Sequence, residues 1–320
     1  MRATAKAQPN IALVKYWGKR DSERNLPAVG SISITLADLH TTMTVEFDDS
    51  LSGDTLVVND DKNDAMLPRV SRCLDSVAGA GRSFASVTSD SNFPIAAGLA
   101  SSASAFAALV LAADAAAGTG YSRDRLASLA GQASGSAARS LFGGFVELEN
   151  AGDDIRLHEL CTARDWPLAV VVAITASAPK PVSSTVAMET SRETSPFYDR
   201  WIEQQEADLA EARAAIAERS FERLAAVAEH NCLKMHSVMW GSRPPMVFWN
   251  STTLACMEAV RGLQAAGRAV FFTIDAGPQL KAVCQPADAE HVRETLARVG
   301  GVEQVVVSGL GDGARVVADD

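Results

Sequence analysis

The sequence predicts a two-lobed α+β protein, and three observations carry that expectation. Leu168 to Thr175 is an unbroken apolar run with three Val and one Ile, the pattern of a strand buried on both faces. Long helical stretches follow, then strands over Ala269 to Ile274 and Leu280 to Cys284, a helix over Asp288 to Val299 and a last strand over Val302 to Val307. That order of strand, helices, strand, strand, helix, strand is the split βαβ pattern of a ferredoxin-like lobe. The first half mixes alternating strands with Ala-rich helices instead. No repeat or low-complexity linker parts the halves, so residues 1–166 and 167–320 are expected to pack closely around a cleft.

In chain order, Met1 to Asn10 carries charge but no apolar core segment, so no secretory signal is visible and a cytoplasmic protein is expected. Residues Ala7 to Arg20 are dense in Asn10, Lys15, Tyr16, Trp17, Lys19 and Arg20. They fit either a solvated strand with surface lysines or a loop lining a polar pocket. Ile32, Ile34 and Leu36 alternate with hydroxyls, as do Met43, Val45 and Phe47, which predicts an antiparallel pair joined through Ala37 to His40. Leu67, Val70, Leu74 and Val77 recur at helical spacing, with Pro68 in the first turn and Gly79 near the end.

A strand over Ser83 to Val87 leads into Asn92 to Ala105 and an Ala-rich helix reaching about Ala117. Gly98 permits the turn, and Ser101 and Ser102 stand where the helix start needs caps. The free amides and macrodipole of such a start suit phosphate, although a tight turn before a core helix reads equally well. No Lys follows Gly98, so this is not a Walker A loop and cations must come from elsewhere.

A helix over Arg123 to Ala133 precedes Ser134 to Phe145, a small-residue segment with hydroxyls, amides and Arg139; it is either a linker or a second anion site. Lys180 to Thr185 offers one Lys and three hydroxyls in a loop. Helix is expected from about Ser195 to Trp240, broken near Glu218 to Phe221, and again from Thr252 to Ala266. His230 and His236 fall on the first of these, not at i,i+4 spacing, and read as structural or exposed. Asp275 falls at the tight turn between two strands, where it either braces the turn or does chemistry.

The net charge of −10 excludes nucleic acid or anionic membrane as the main partner, so an anionic substrate must meet a local cationic pocket. The longest apolar run, Ile95 to Ala117, is broken by Gly98, three Ser and Asp114, and reads as a helix of a soluble protein. Five scattered Cys, without a C-x-x-C, read as idle thiols in a reducing compartment.

Taken together, Asn10-Ile11-Ala12-Leu13-Val14-Lys15-Tyr16-Trp17-Gly18-Lys19-Arg20 closely resembles the N-terminal signature of the diphosphomevalonate decarboxylases, members of the GHMP kinase superfamily. Phe93 to Ser102 resembles their ATP loop. Ser134 to Gly144, Lys180 to Thr185, Glu193 to Pro196, Pro244-Pro245 with Trp249-Asn250, and Thr273 to Pro278 resemble further motifs of the family in order. Ala138 stands where eukaryotic members carry Cys, and Ala187 where Gly is expected.

The resemblance implies a GHMP-kinase-like fold and ATP-dependent decarboxylation of (R)-mevalonate 5-diphosphate to isopentenyl diphosphate. Its siblings in the superfamily are a phosphomevalonate decarboxylase and a mevalonate 3-kinase. The resemblance assigns catalysis to Asp275, Lys15 and Arg139. Substrate binding falls to Asn10, Tyr16, Trp17, Gly18, Lys19, Ser134, Gly135, Ser136, Ala137, Ala138, Arg139 and Thr194. ATP binding falls to Asn92, Ala96, Ala97, Gly98, Leu99, Ala100, Ser101, Ser102, Lys180 and Ser184. Mg²⁺ would arrive with the nucleotide, and a homodimer is expected.

Overall fold

The structure, a computed structural model, describes residues 1–93, 101–176 and 182–317. The first lobe runs β1 (Arg2–Ala7), β2 (Asn10–Val14), β3 (Lys19–Asp21), β4 (Leu26–Pro27), β5 (Ser31–Thr35), β6 (Thr41–Phe47), β7 (Thr55–Val58) and β8 (Asp61–Lys62). It continues with α1 (Leu67–Ala78), β9 (Ala85–Ser91), α2 (Ser101–Ala117), α3 (Arg123–Ala133), a 3₁₀ turn (Ala138–Leu141), β10 (Phe145–Ala151) and β11 (Asp154–Cys161). The second runs β12 (Ala169–Ile174), α4 (Ser184–Thr194), α5 (Tyr198–Glu218), α6 (Phe221–Trp240), α7 (Ser251–Ala265), β13 (Val270–Ile274), β14 (Leu280–Cys284), α8 (Ala289–Ala297), β15 (Gln304–Gly309) and β16 (Arg315–Val317).

The second lobe matches the expected topology. Its sheet has the order β13-β14-β12-β15, all antiparallel, with α7 and α8 packed against it. β12 is buried along its whole length, as its unbroken apolar run requires. The break between α5 and α6 falls at Arg219, which adopts a left-handed conformation and closes α5.

In the first lobe, β5 and β6 are not the pair that their alternation predicts. β5 lies between β10 and β2, whereas β6 lies between β1 and β9 in a different sheet. Burial explains it. Ser31, Ser33 and Thr35 are as buried as Ile32 and Ile34, while β6 keeps one wetter face. The Ala37–His40 link therefore passes from one sheet to the other, and Ser308 Oγ accepts from the Ala37 and Asp38 amides on the way.

The six-stranded sheet β16-β1-β6-β9-β7-β8 packs on α1, α2 and α3. α2 is apolar nearly all round and is the central helix of this core. A second core joins β2 and β5 to β12, α5, α6 and Phe271, so the two lobes share buried apolar contacts. Residues 315–317, expected in the second lobe, return to the first, where they pair antiparallel with β1 as the edge strand of its sheet. No helix among the described residues is long and apolar enough to cross a membrane.

Candidate active site

Between the lobes lies a cleft of about 310 Å³. Its floor is the turn from β13 to β14, which carries Asp275. The Asp275 carbonyl accepts from the Gly277 amide at 2.7 Å. From behind, the N-cap of α7 holds the same turn: Thr253 Oγ1 donates to the Pro278 carbonyl at 2.7 Å while Asn250 Oδ1 accepts from the Thr253 amide. Gln279 is buried and accepts from the Thr175 amide at 2.6 Å. The Asp275 side chain is thus presented by a rigid turn.

Lys15 reaches the same point from the end of β2. Its amide donates to Asn231 Oδ1 and its carbonyl accepts from Gln205, so residues of α5 and α6 fix its backbone. Its Nζ lies 2.6 Å from Asp275 Oδ1, and Lys281 Nζ lies 3.0 Å from Oδ2. Both lysines are 1% exposed, against 28% for the carboxylate. Burial alone would raise the Asp275 pKa, but Lys15 and Lys281 outweigh it and hold the carboxyl well below the usual range.

Arg139 sits on the 3₁₀ turn and is 2% exposed. Its Nε and Nη2 donate to Asn10 Oδ1 at 3.3 Å, and Nη1 donates to Ser31 Oγ. Asn10 is anchored in turn by donating to the Ser136 carbonyl and to Ser140 Oγ, both at 2.8 Å. No carboxylate among the described residues pairs with Arg139. Burial pulls its pKa down to about 10 against the opposing fields of Tyr16 and Asp275. A buried guanidinium without an anion is costly, so an anionic ligand fits here.

The mouth is cationic too. Lys19 donates to Thr185 Oγ1 at 3.0 Å, and its pKa is lowered by burial and by nearby Arg69. Arg69 spends its guanidinium on the Ala133 carbonyl and lies over the Phe106 ring, 4.4 Å from its centroid. Two helix starts open onto the cleft: Ser102 in the first turn of α2, and Ser183, the N-cap of α4, with Ser184 and Thr185. Tyr16 lines it as well, its hydroxyl buried without a hydrogen-bond partner among the described residues and its pKa raised by burial.

The residues expected to act divide accordingly. Asn10, Lys15, Tyr16, Trp17, Lys19, Ser102, Ser134, Gly135, Ser136, Arg139, Ser184 and Asp275 line the cleft. Gly135 touches the Tyr16 hydroxyl so closely that a Cβ would stand 2.6 Å from it. Trp17 is 1% exposed and spends its indole N–H on Ser191, so it is mainly core. Gly18 has φ +101° and is packed against Tyr198, and Ala137 and Ala138, which begin the 3₁₀ turn, are fully buried.

Thr194 stands apart from the cleft, at the end of α4, donating to the Thr190 carbonyl and accepting from the Arg243 amide. Asn92 ties the His40 amide and the Asp38 carbonyl together. Ser101 opens α2 without lining the cleft. Ala96, Ala97, Gly98, Leu99, Ala100 and Lys180 lie outside the described residues. The segment ending at Thr185, expected as a loop, becomes helix at Ser184 because Ser183 caps it, accepting from the Val186 amide.

Sequence reasoning missed Lys281 and Arg69. A lysine inside Leu280-Lys281-Ala282-Val283-Cys284, otherwise apolar and buried, was the available signal for the first. Arg69 carried none, since a charge on an amphipathic helix is ordinary.

A two-lobed α+β frame that gathers cations and helix starts around one ionised carboxylate defines a class: enzymes for small polyanionic substrates. Known proteins narrow this class. Residues 7–161 match the family described as diphosphomevalonate decarboxylase-like N-terminal domain, and residues 170–316 match that of the mevalonate 5-diphosphate decarboxylase C-terminal domain. The diphosphomevalonate decarboxylase of Gibberella zeae is 33% identical over 337 residues, covering 96% of this chain and 88% of that protein. Mevalonate diphosphate decarboxylase from Staphylococcus aureus superposes with a TM-score of 0.93 at 35% identity, over 99% of this chain and 98% of that one. A structure described as MDDEF in complex with MVAPP, AMPPCP and magnesium gives 0.92 at 35% identity, over 100% and 99%. The chain belongs to the diphosphomevalonate decarboxylase family.

Proposed function

We propose that this chain decarboxylates (R)-mevalonate 5-diphosphate at the expense of ATP, giving isopentenyl diphosphate, ADP, phosphate and carbon dioxide. The observation that carries the reading is the ionised Asp275, held between Lys15 and Lys281 and facing a cleft with the buried Arg139. Asp275 accepts a hydrogen bond from the substrate 3-hydroxyl and aims its oxygen at the γ-phosphate. Its depressed pKa makes it an orienting group and a relay rather than a proton store: as the 3-oxygen bonds to the γ-phosphorus, the bond to ADP breaks and the hydroxyl proton passes by way of Asp275 to a phosphate oxygen. Lys15, beside it, offsets charge on the transferring phosphoryl group. Once the 3-oxygen is phosphorylated, its C–O bond breaks as phosphate leaves. The bond to the carboxylate then breaks, and its electron pair forms the new double bond.

Arg139 takes the substrate carboxylate, a match of planar fork to planar anion. Tyr16, Lys19 and Ser136, with Arg69, take the diphosphate, and the starts of α2 and α4 take the ATP phosphates. Lys180, Ala96 to Ala100 and Asn92 are assigned to ATP by resemblance alone, as Thr194 is to the substrate. Mg²⁺ bound to the nucleotide would neutralise phosphate charge. A lobe boundary near residues 166/167, with the last strand returning to the first lobe, suits this division of labour. We also read the protein as a cytoplasmic homodimer, supported by family likeness and by five unpaired cysteines.

Product analysis with ATP and each of mevalonate, its 5-phosphate and its 5-diphosphate tests the proposal. Carbon dioxide and isopentenyl diphosphate are expected from the diphosphate. Faster use of the monophosphate, or a 3-phosphorylated product without carbon dioxide, overturns it.

A further inference from the structure

We infer that Lys281 is a positioning residue for phosphoryl transfer: it fixes the Asp275 carboxylate from behind, so that Lys15 can turn to the phosphate without releasing it. This rests on the function proposed above. The geometry separates the two lysines. Lys15 and Asp275 both line the cleft, whereas Lys281 does not. Lys281 stands on β14 opposite Val172 of β12 and Thr273 of β13, 1% exposed, with its Nζ 3.0 Å from Oδ2.

Among the described residues, Asp275 links Lys281 to the cleft. The strand itself has no need of a cation there, because Leu280, Ala282, Val283 and Cys284 are fully buried and an aliphatic side chain would complete the same sheet. Burying an ammonium is costly unless an anion repays it. Burial indeed lowers the Lys281 pKa, with Asp275 opposing.

Among the described residues, five ionisable groups interact electrostatically with this carboxylate. Lys15 comes from the end of β2, Lys281 from β14, Arg139 from the 3₁₀ turn, and Cys232 and His236 from α6. Burial raises the Cys232 thiol and pushes His236 down to about 3, so both are neutral near pH 7. Among the described residues, Lys15 and Lys281 are what hold Asp275 ionised. When Lys15 engages a phosphate, Lys281 is the cation that keeps its contact with the carboxylate.

The test compares wild type with Lys281→Met and Lys281→Gln, following the Asp275 carboxyl by ¹³C NMR and turnover by steady-state kinetics. In Lys281→Met the carboxyl midpoint should rise by about one unit or more. The kcat should fall about ten- to a hundredfold, equivalent to one charge-assisted hydrogen bond, with KM for both substrates nearly unchanged. Lys281→Gln keeps a neutral donor, so it should show the same titration shift but recover part of kcat. If Lys281→Met does not fold, Lys281→Gln carries both readings. An unmoved carboxyl midpoint, or kcat within twofold of wild type in a folded variant, overturns the inference. A wild type that turns over no mevalonate ester strikes the proposed function instead, while the NMR titration still decides whether Lys281 holds Asp275.

Discussion

At the scale of single residues, the site is a problem in keeping one carboxylate ionised and aimed. An ordinary aspartate titrates at 3.8, and the two lysines beside Asp275 hold it lower still. It is therefore fully ionised at any pH above about 5, and an acid limb of kcat/KM near neutrality belongs to another group. Asp275→Asn removes the charge and keeps the shape. It should bind ATP and substrate nearly normally and lose about 10²–10⁴-fold in kcat; retention of more than roughly a tenth of wild-type kcat would falsify its role. Arg139→Lys replaces a fork with a point charge, and should weaken mevalonate 5-diphosphate while ATP titrates as in wild type. A loss confined to ATP affinity would move Arg139 to the nucleotide site. Lys15, Arg139 and Asp275 were legible as site candidates only when their motifs were read together as a family resemblance, since a solvated strand, a linker and a braced turn each accounted for one of them alone. Lys281 was not, because a run of five strand residues does not say which loop carboxylate will stand above it.

At the scale of elements, α5 to α8 were readable from periodicity, α4 was not, and the partners of the strands were less so. β5 and β6 have similar alternation, and only the buried hydroxyls of Ser31, Ser33 and Thr35 distinguish a two-faced strand from a one-faced one. Charge, too, is used between elements. Arg82, after α1, donates to both oxygens of Asp54 at 2.8 and 2.6 Å and to Asp75 at 3.0 Å, which ties α1 to the loop before β7. The Arg82 and Asp54 side chains are 7% and 8% exposed. Burial would raise the Asp54 pKa, but bonds from Arg82, Ser71 and the Ala85 amide outweigh it and lower it to about 2. Because the folded pKa lies below the unfolded one, this contribution to stability is complete above about pH 4 and fades as pH falls towards 2. Arg82→Ala leaves a buried carboxylate unpaired and should cost about 3–5 kcal/mol in urea unfolding at pH 7. A cost below about 1 kcal/mol would show the pair to behave as an ordinary surface bridge.

At the scale of the whole molecule, the expected pair of lobes is present, but their cores merge through β2, β5, β12, α5 and α6. The chain also closes on itself. The backbone at Gly311 to Gly313 packs against Gly143, where a Cβ would meet Asp312 backbone atoms at 2.5 Å. Gly143→Ala must push the last strand away, at about 1–3 kcal/mol, and should lower Tm and expose the C-terminal segment to protease. A variant with wild-type Tm would show that the segment shifts freely. Such contacts were hidden from sequence reasoning, since nothing local in Arg315 to Val317 names Thr4 to Lys6 as its partner. That pairing also has a consequence in time. While the chain is being made, β1 has β6 on one side and an open edge on the other, until the ribosome has added about 300 further residues, roughly 15–60 s of synthesis. Through that interval the first lobe carries an unpaired strand edge, the feature by which nascent chains find one another. Its sheet is finished only by the last described strand.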